Sequence, residues 1–186
     1  MKIVCGQLQP PRRRERSEPV ILFVVAEQMF AIAASAIHEI RSTDSISAAA
    51  SEIVGKDMPQ VRYRLRRGRT LYYVVNASKH FGLPASRPTL VLVLRNFRAA
   101  VLVDQIDRME TMSRLTALPQ SFSGPERAWY RGLTLIGESV VPVLSASGFL
   151  TERQFAQLDA LDDSIVDPVQ SEAASAQNEA QGVALR

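Results

Sequence analysis

Laid over itself at a shift of 69 residues, the chain repeats. Ile21 to Ile40 (ILFVVAEQMFAIAASAIHEI) falls on Leu90 to Met109 (LVLVLRNFRAAVLVDQIDRM), with apolar runs, polar tip and the pairs Ile37/Ile106 and Ile40/Met109 in register. The same shift sets Arg62 over Arg131, Gly68 over Gly137, and Thr70 to Ser78 (TLYYVVNAS) over Ser139 to Ser147 (SVVPVLSAS). One unchanged offset across separate segments is the mark of a duplicated structural unit. It predicts two similar lobes, about 20–84 and 89–150, each of about 60 residues. Units that small are marginal alone and are expected to share a core.

The units read as β. Val20 to Ala26 (VILFVVA), a polar break at Glu27-Gln28 and Met29 to Ile32 make one hairpin. Leu90 to Leu94, a tip of Arg95-Asn96-Phe97-Arg98 and Ala99 to Val103 make a second. Leu133 to Ile136 and Ser139 to Leu144 flank Gly137-Glu138, a tip whose glycine suits a tight hairpin. These runs are short, rich in Val, Ile and Leu, and hold no 3.6-residue period. A small antiparallel sheet with no long strands removes its edges by closing into a barrel. The expected fold is therefore mainly β: two similar barrels side by side with a groove between them and short helical turns. One helix is predicted, about 151–162, with Thr151 as its cap and Phe155, Leu158 and Leu161 on one face.

Charge is distributed unevenly. Residues 1–150 hold 20 basic and 12 acidic groups, and residues 151–186 hold 2 and 7, so a net charge of +3 conceals a basic body and an acidic end. Residues 1–18, with Pro10, Pro11 and the arginines from Arg12 to Arg16, read as a flexible basic arm. Residues 164–186, rich in Ser, Ala, Gln and Glu, read as a disordered acidic tail. The lone Cys5 cannot form an internal disulfide. No apolar run approaches the roughly 18 residues that span a bilayer, and the first residues lack the basic-then-apolar order of a secretion signal. The expected location is the cytoplasm, without direct membrane insertion.

Four stretches, ILFVVAEQMFAIAASAIHEI, RRGRTLYYVVNASKHFGLP, AAVLVDQIDRM and YRGLTLIGESVVPVLSASGFL, carry a resemblance to the CheW-like domain. That domain is the coupling module of bacterial chemotaxis arrays and the regulatory domain of CheA kinases. With these stretches the resemblance spans about 20–152, within an expected domain of 19–163. It implies two five-stranded barrels, of the SH3-like or OB-like kind, around a shared apolar core. It implies no enzymatic activity, no catalytic residues and no cofactor. The implied partners are the regulatory domain of a CheA-type histidine kinase and the cytoplasmic tip of a chemoreceptor.

Residue by residue, Arg67-Gly68 matches the family turn whose arginine contributes to receptor coupling, and an arginine there offers a planar fork to carboxylates or helix-end carbonyls. Arg62 and Arg66 belong to the same partner-facing stretch. Val103, Asp104 and Ile106 match the strand that lines the groove between the barrels. Asp104 is expected to be tied to backbone N–H groups rather than to act as an acid. The chain departs from the family where an Asn-Leu-Arg-Gly turn is usual and Leu65-Arg66-Arg67-Gly68 stands, and where Ser145 replaces the usual Asp. The first repeat is thus the more diverged. A related module in another kinase pathway, serving surface motility or development, would carry the same resemblance.

From Val61 to Leu65 apolar and basic residues alternate, which sets Val61, Tyr63 and Leu65 on one strand face and Arg62, Arg64 and Arg66 on the other, about 6.6 Å apart. A basic stripe on a barrel is how oligonucleotide-binding barrels attract a phosphate backbone. Such binders interleave exposed aromatics, yet the alternation turns Tyr63 inward and aromatics make up 6% of the chain. No nucleic acid is expected; an acidic protein surface, or the acidic tail, matches the stripe better. His38 and His80 are the only histidines, neither in ligand spacing with Cys5, and no metal site is expected. There is no phosphate-binding glycine loop, paired-cysteine motif or nucleophile elbow.

Overall fold

The computed structural model describes residues 17–47, 50–52 and 58–166. Apart from their inner ends, the expected arm over 1–18 and tail over 164–186 lie outside the described residues. The strands are β1 (Glu18–Val25), β2 (Gln28–Ala33), β3 (Ile37–Ser42), β4 (Ala50–Glu52), β5 (Val61–Arg67), β6 (Thr70–Asn76), β7 (Leu90–Leu94), β8 (Ala99–Val103), β9 (Gln105–Met112), β10 (Tyr130–Ile136) and β11 (Ser139–Leu144). Among the described residues three α-helices accompany them: α1 (Thr43–Ser47), α2 (Ala77–His80) and α3 (Glu152–Val166).

The strands form two sheets, ordered β10-β11-β2-β1-β9 and β3-β7-β8-β6-β5-β4. Under the 69-residue offset β1, β2, β3, β5 and β6 correspond to β7, β8, β9, β10 and β11, so the two sheets have the same order apart from the added β4. Neither sheet comes from one contiguous half. Each joins the first hairpin of one repeat to the third strand and last hairpin of the other, because the chain changes sheet between β2 and β3 and again between β8 and β9. In each sheet the two halves meet at one parallel pair, β11–β2 or β6–β8, and at one antiparallel pair, β1–β9 or β3–β7.

The exchange creates three apolar layers. Phe23, Phe30, Tyr73, Val75, Leu92, Val101 and Leu144 build a central core between the sheets. Leu22, Met112, Ile136 and Val143 fill the concave side of the five-stranded sheet, and Ile46, Leu65, Val74 and Val91 that of the six-stranded one. Alternation along β6 sends Tyr73 and Val75 to the central core and Val74 to the other side.

The expected closed barrels are not formed: both sheets are open. In the five-stranded sheet a single bridge, Thr116 with Leu133, spans the gap between the segment after β9 and β10. Pro119 and Pro125 in the following segment lack the N–H donors that would extend it. The bridge needs Gly132, since a Cβ there would lie 2.4 Å from the Thr116 carbonyl oxygen.

Turn chemistry follows the sequence in two hairpins. Gly68 (φ 56°) and Gly137 (φ 59°) take the left-handed first positions of the β5–β6 and β10–β11 turns. The β1–β2 turn lies one residue earlier than the polar break suggests. It is Ala26-Glu27, both at positive φ without a glycine, with Gln28 already in β2. The even alternation expected for β5 is also broken. A register shift between Val61 and Tyr63 sends Val61 to the central core, while Tyr63 and Leu65 pack on the opposite side.

Helix α3 begins where expected and runs four residues longer. Thr151 Oγ1 accepts the Gln154 N–H (3.3 Å) and Gln154 Oε1 accepts the Thr151 N–H (2.9 Å), a reciprocal cap. Phe155 and Leu158 pack on the central core, but Leu161 is 41% exposed rather than sharing the buried face. The helix is fastened at Asp159, which receives two hydrogen bonds from Arg98 (2.9 and 2.7 Å) and one from the Tyr73 hydroxyl (2.6 Å).

Candidate protein-binding surface

The candidate residues fall into two groups, on the β5–β6 hairpin and at the corner between β8 and β9. No hydrogen bond or ion pair joins the groups among the described residues.

In the hairpin, Arg66 is exposed and stands opposite Leu71, while Gly68 and Arg69 form the turn. Arg67 is less available than an arginine at a turn suggests. Its Nη1 donates to Glu39 Oε1, which also takes Arg41 Nε at 2.9 Å. Strands β3 and β5 are not neighbours in the ladder, so this cluster is a side-chain clasp across the curve of the six-stranded sheet. Arg62 sits farther back on β5, exposed, 5.3 Å over the Tyr63 ring and 3.8 Å from Glu52.

At the corner, Val103 is fully buried in the central core, so, contrary to the expectation of a groove-lining residue, it cannot itself touch a partner. Asp104 is the one residue between β8 and β9. Its Oδ2 accepts the Ala26 N–H at 2.7 Å, and its own N–H donates to the Val24 carbonyl at 3.0 Å. The carboxylate thus holds the strained β1–β2 turn. At the corresponding turn of the other repeat, Arg95 N–H finds the Ala36 carbonyl at 2.8 Å instead. Ile106 stands opposite Phe23 and is half-buried against the central core.

Two further apolar residues are exposed. Ile40 (42% exposed) pairs opposite Leu92, and Met109 (68% exposed) opposite Ile21. Directly opposed residues share a sheet face, so both apolar side chains flank the central core at its edges. The repeat had already matched this pair; their exposure was not legible. Glu39 carried no sequence signal, because its partner Arg67 is 28 residues away.

The electrostatics are structural. Burial and then the Asp159 hydrogen bond push the Tyr73 phenol well above its ordinary value. The Arg98 hydrogen bond, ahead of the opposing effect of burial, lowers Asp159. His80 is pushed down to about 4 by burial against Trp129 (4.4 Å between ring centroids), Phe81 and Phe149. Among the described residues no three His, Cys, Asp or Glu side chains are grouped to hold a metal, and no helix is long and apolar enough to cross a membrane.

What remains is a class: a two-sheet β scaffold whose charged and apolar surfaces suit docking to other proteins. The model of the CheW-like domain matches residues 19–154, well over half the chain, and the chain belongs to that family. The family consists of scaffolding proteins without enzymatic activity. Among curated proteins none matches the sequence. Among solved structures, the scaffolding protein TtCheW from Thermoanaerobacter tengcongensis aligns with a TM-score of 0.59 at 12% identity, over 74% of this chain and 95% of that one. At that identity the likeness establishes the fold. The protein is a chemotaxis-type adaptor or scaffold.

Proposed function

We propose that the protein couples chemoreceptors to a CheA-type histidine kinase, using the β5–β6 hairpin and the groove between the sheets. The family match over 19–154 carries this reading. The exposed Arg66 and Arg69 give the hairpin an acid-seeking end, and Ile40, Ile106 and Met109 give the groove apolar shoulders for a helical receptor tip. Arg67 positions the hairpin through Glu39. Arg62 lies on the same strand.

The physical logic is linkage. A scaffold that holds both partners raises their effective concentration. If it binds one receptor state better than another, the difference reaches the kinase as differential affinity. The nucleic-acid reading is weaker, because Tyr63 packs inward and Tyr73, Tyr130 and Trp129 sit in buried or half-buried clusters rather than on a stacking platform.

Calorimetric titration of the whole chain with the regulatory domain of a CheA-type kinase, after nuclease treatment, tests the kinase half. Saturable binding that persists in moderate salt is expected. Absence of binding, or binding that vanishes with nuclease, would contradict it.

A further inference from the structure

Each curved sheet ends in a recess, and the two recesses correspond under the 69-residue offset. The six-stranded sheet has a cavity of about 330 Å³ whose lining includes Thr43, Asp44, Ile46, Arg62 and Ser86. Their counterparts Met112, Ser113, Leu115, Arg131 and Ser17 line the recess of the five-stranded sheet.

The two differ in how the arginine is satisfied. Arg131 donates to both carboxylate oxygens of Glu18, at 3.1 and 2.9 Å. The counterpart of Glu18 is Arg87, an exposed residue between the lining residues Ser86 and Pro88. In place of an acid and a base, the six-stranded copy therefore has two bases. Among the described residues Arg62 has Glu52 at 3.8 Å, the two side chains 51% and 64% exposed, and the Tyr63 ring at 5.3 Å.

Other donors around this cavity are unspent among the described residues. Asn76 is 8% exposed and uses its Oδ1 to accept from Ser78 Oγ (2.7 Å) and the Lys79 N–H (3.2 Å). Its NH₂ group, the Ser86 hydroxyl and the Tyr63 hydroxyl make no hydrogen bond among the described residues. Asp44, the acid in the lining, has an interaction of its own. Ile46, Pro88 and Leu102 supply an apolar wall.

We propose that this cavity binds a small organic carboxylate with an apolar body. The carboxylate takes the place on Arg62 that Glu18 takes on Arg131, with the Asn76 amide as a second donor, and the body lies against Ile46, Pro88 and Leu102. The volume is at the small end of the range for ligand pockets. A planar guanidinium fork suits a carboxylate better than a single amide oxygen.

The test titrates isotope-labelled full-length protein with phenylbutyrate and, in parallel, with neutral phenylbutyramide, following backbone amide chemical shifts. Saturable shifts at Tyr63, Asn76 and Leu102 are expected with the carboxylate, and about tenfold weaker binding with the amide. Arg62→Gln should weaken carboxylate binding by about tenfold or more. Arg87→Glu installs the counterpart of Glu18 and should remove the response while the rest of the spectrum stays unchanged. Three results would overturn the proposal: no saturable shift at these residues in the folded protein, an equal response to the amide, or undiminished binding in both variants.

Discussion

Arg67 on β5 donates to Glu39 on β3, joining two strands that the hydrogen-bond ladder of the six-stranded sheet leaves apart. In the five-stranded sheet the single bridge of Thr116 with Leu133 stands where the six-stranded sheet has the β4–β5 ladder. Both sheets thus tie the segment after the third strand to the fourth by main chain, and the six-stranded one adds a charged clasp from β5 to β3. This makes Arg67 a residue that positions the hairpin, with Arg66 and Arg69 left to face a partner.

Charge exchange separates positioning from contact. Arg67→Glu sets two acids together and should weaken receptor binding, while changing stability by only about 1 kcal/mol, as expected for a part-exposed ion pair. Adding Glu39→Arg restores the attraction with its sign reversed. Receptor binding measured by co-sedimentation should recover in the double variant; continued loss in a folded double variant would show that Arg67 touches the receptor directly.

Asp104 and the turn it holds make a second test. Asp104→Ala leaves the half-buried Ala26 N–H without its acceptor and should cost about 1–3 kcal/mol in urea unfolding. Glu27→Gly, which removes a side chain from a left-handed position (φ 67°), should stabilise by about 1 kcal/mol. A neutral Asp104→Ala would mean that the carboxylate does not hold the turn.

The two glycines of the hairpins should respond differently to alanine. Gly68→Ala meets open space, and only its φ of 56° opposes it, so about 1 kcal/mol is expected. Gly132→Ala drives a Cβ into the Thr116 carbonyl and should cost more, about 2 kcal/mol or above, with loss of protection at the Leu133 amide in hydrogen exchange.

Acid should weaken the fold through His80. The unfolded histidine binds its proton near pH 6.5 and the folded one only near 4, so stability is complete above pH 6.5 and is lost as pH falls from there toward 4. The shift amounts to about 2 kcal/mol between pH 7.5 and pH 5. Asp159, held low by Arg98, acts in a separate and more acidic window: its contribution is present above the ordinary carboxylate pKa and is lost as pH drops through its lowered value. Urea titrations at the two pH values should show the first loss in the native protein and a smaller one in His80→Phe. Equal losses in both would remove His80 as the cause.

Much of this fold is legible in the sequence because its strands are local. The β7–β8 hairpin, the Gly137 turn and the Thr151 cap each depend on residues within a few positions of one another. The repeat gives the equivalence of the two sheets for the same reason, since it compares like with like. It does not give the exchange of strands between them. That is decided where Ala34–Ala36 and Asp104 carry the chain from one sheet to the other, and by parallel pairings such as Tyr73 with Ala99. The site was legible in part. Arg67-Gly68 stands on the turn expected for it, but Glu39 and the burial of Val103 follow from contacts distant in sequence.

An adaptor must link its two partners. Receptor cytoplasmic fragments are assembled on vesicles and sedimented with a CheA-type kinase, with and without the protein. The kinase is expected to pellet with the receptor in a dose-dependent manner only when the protein is present, and the hairpin variant Arg66→Glu/Arg69→Glu should reduce the yield. Kinase recovery that is the same with and without the folded protein would contradict it.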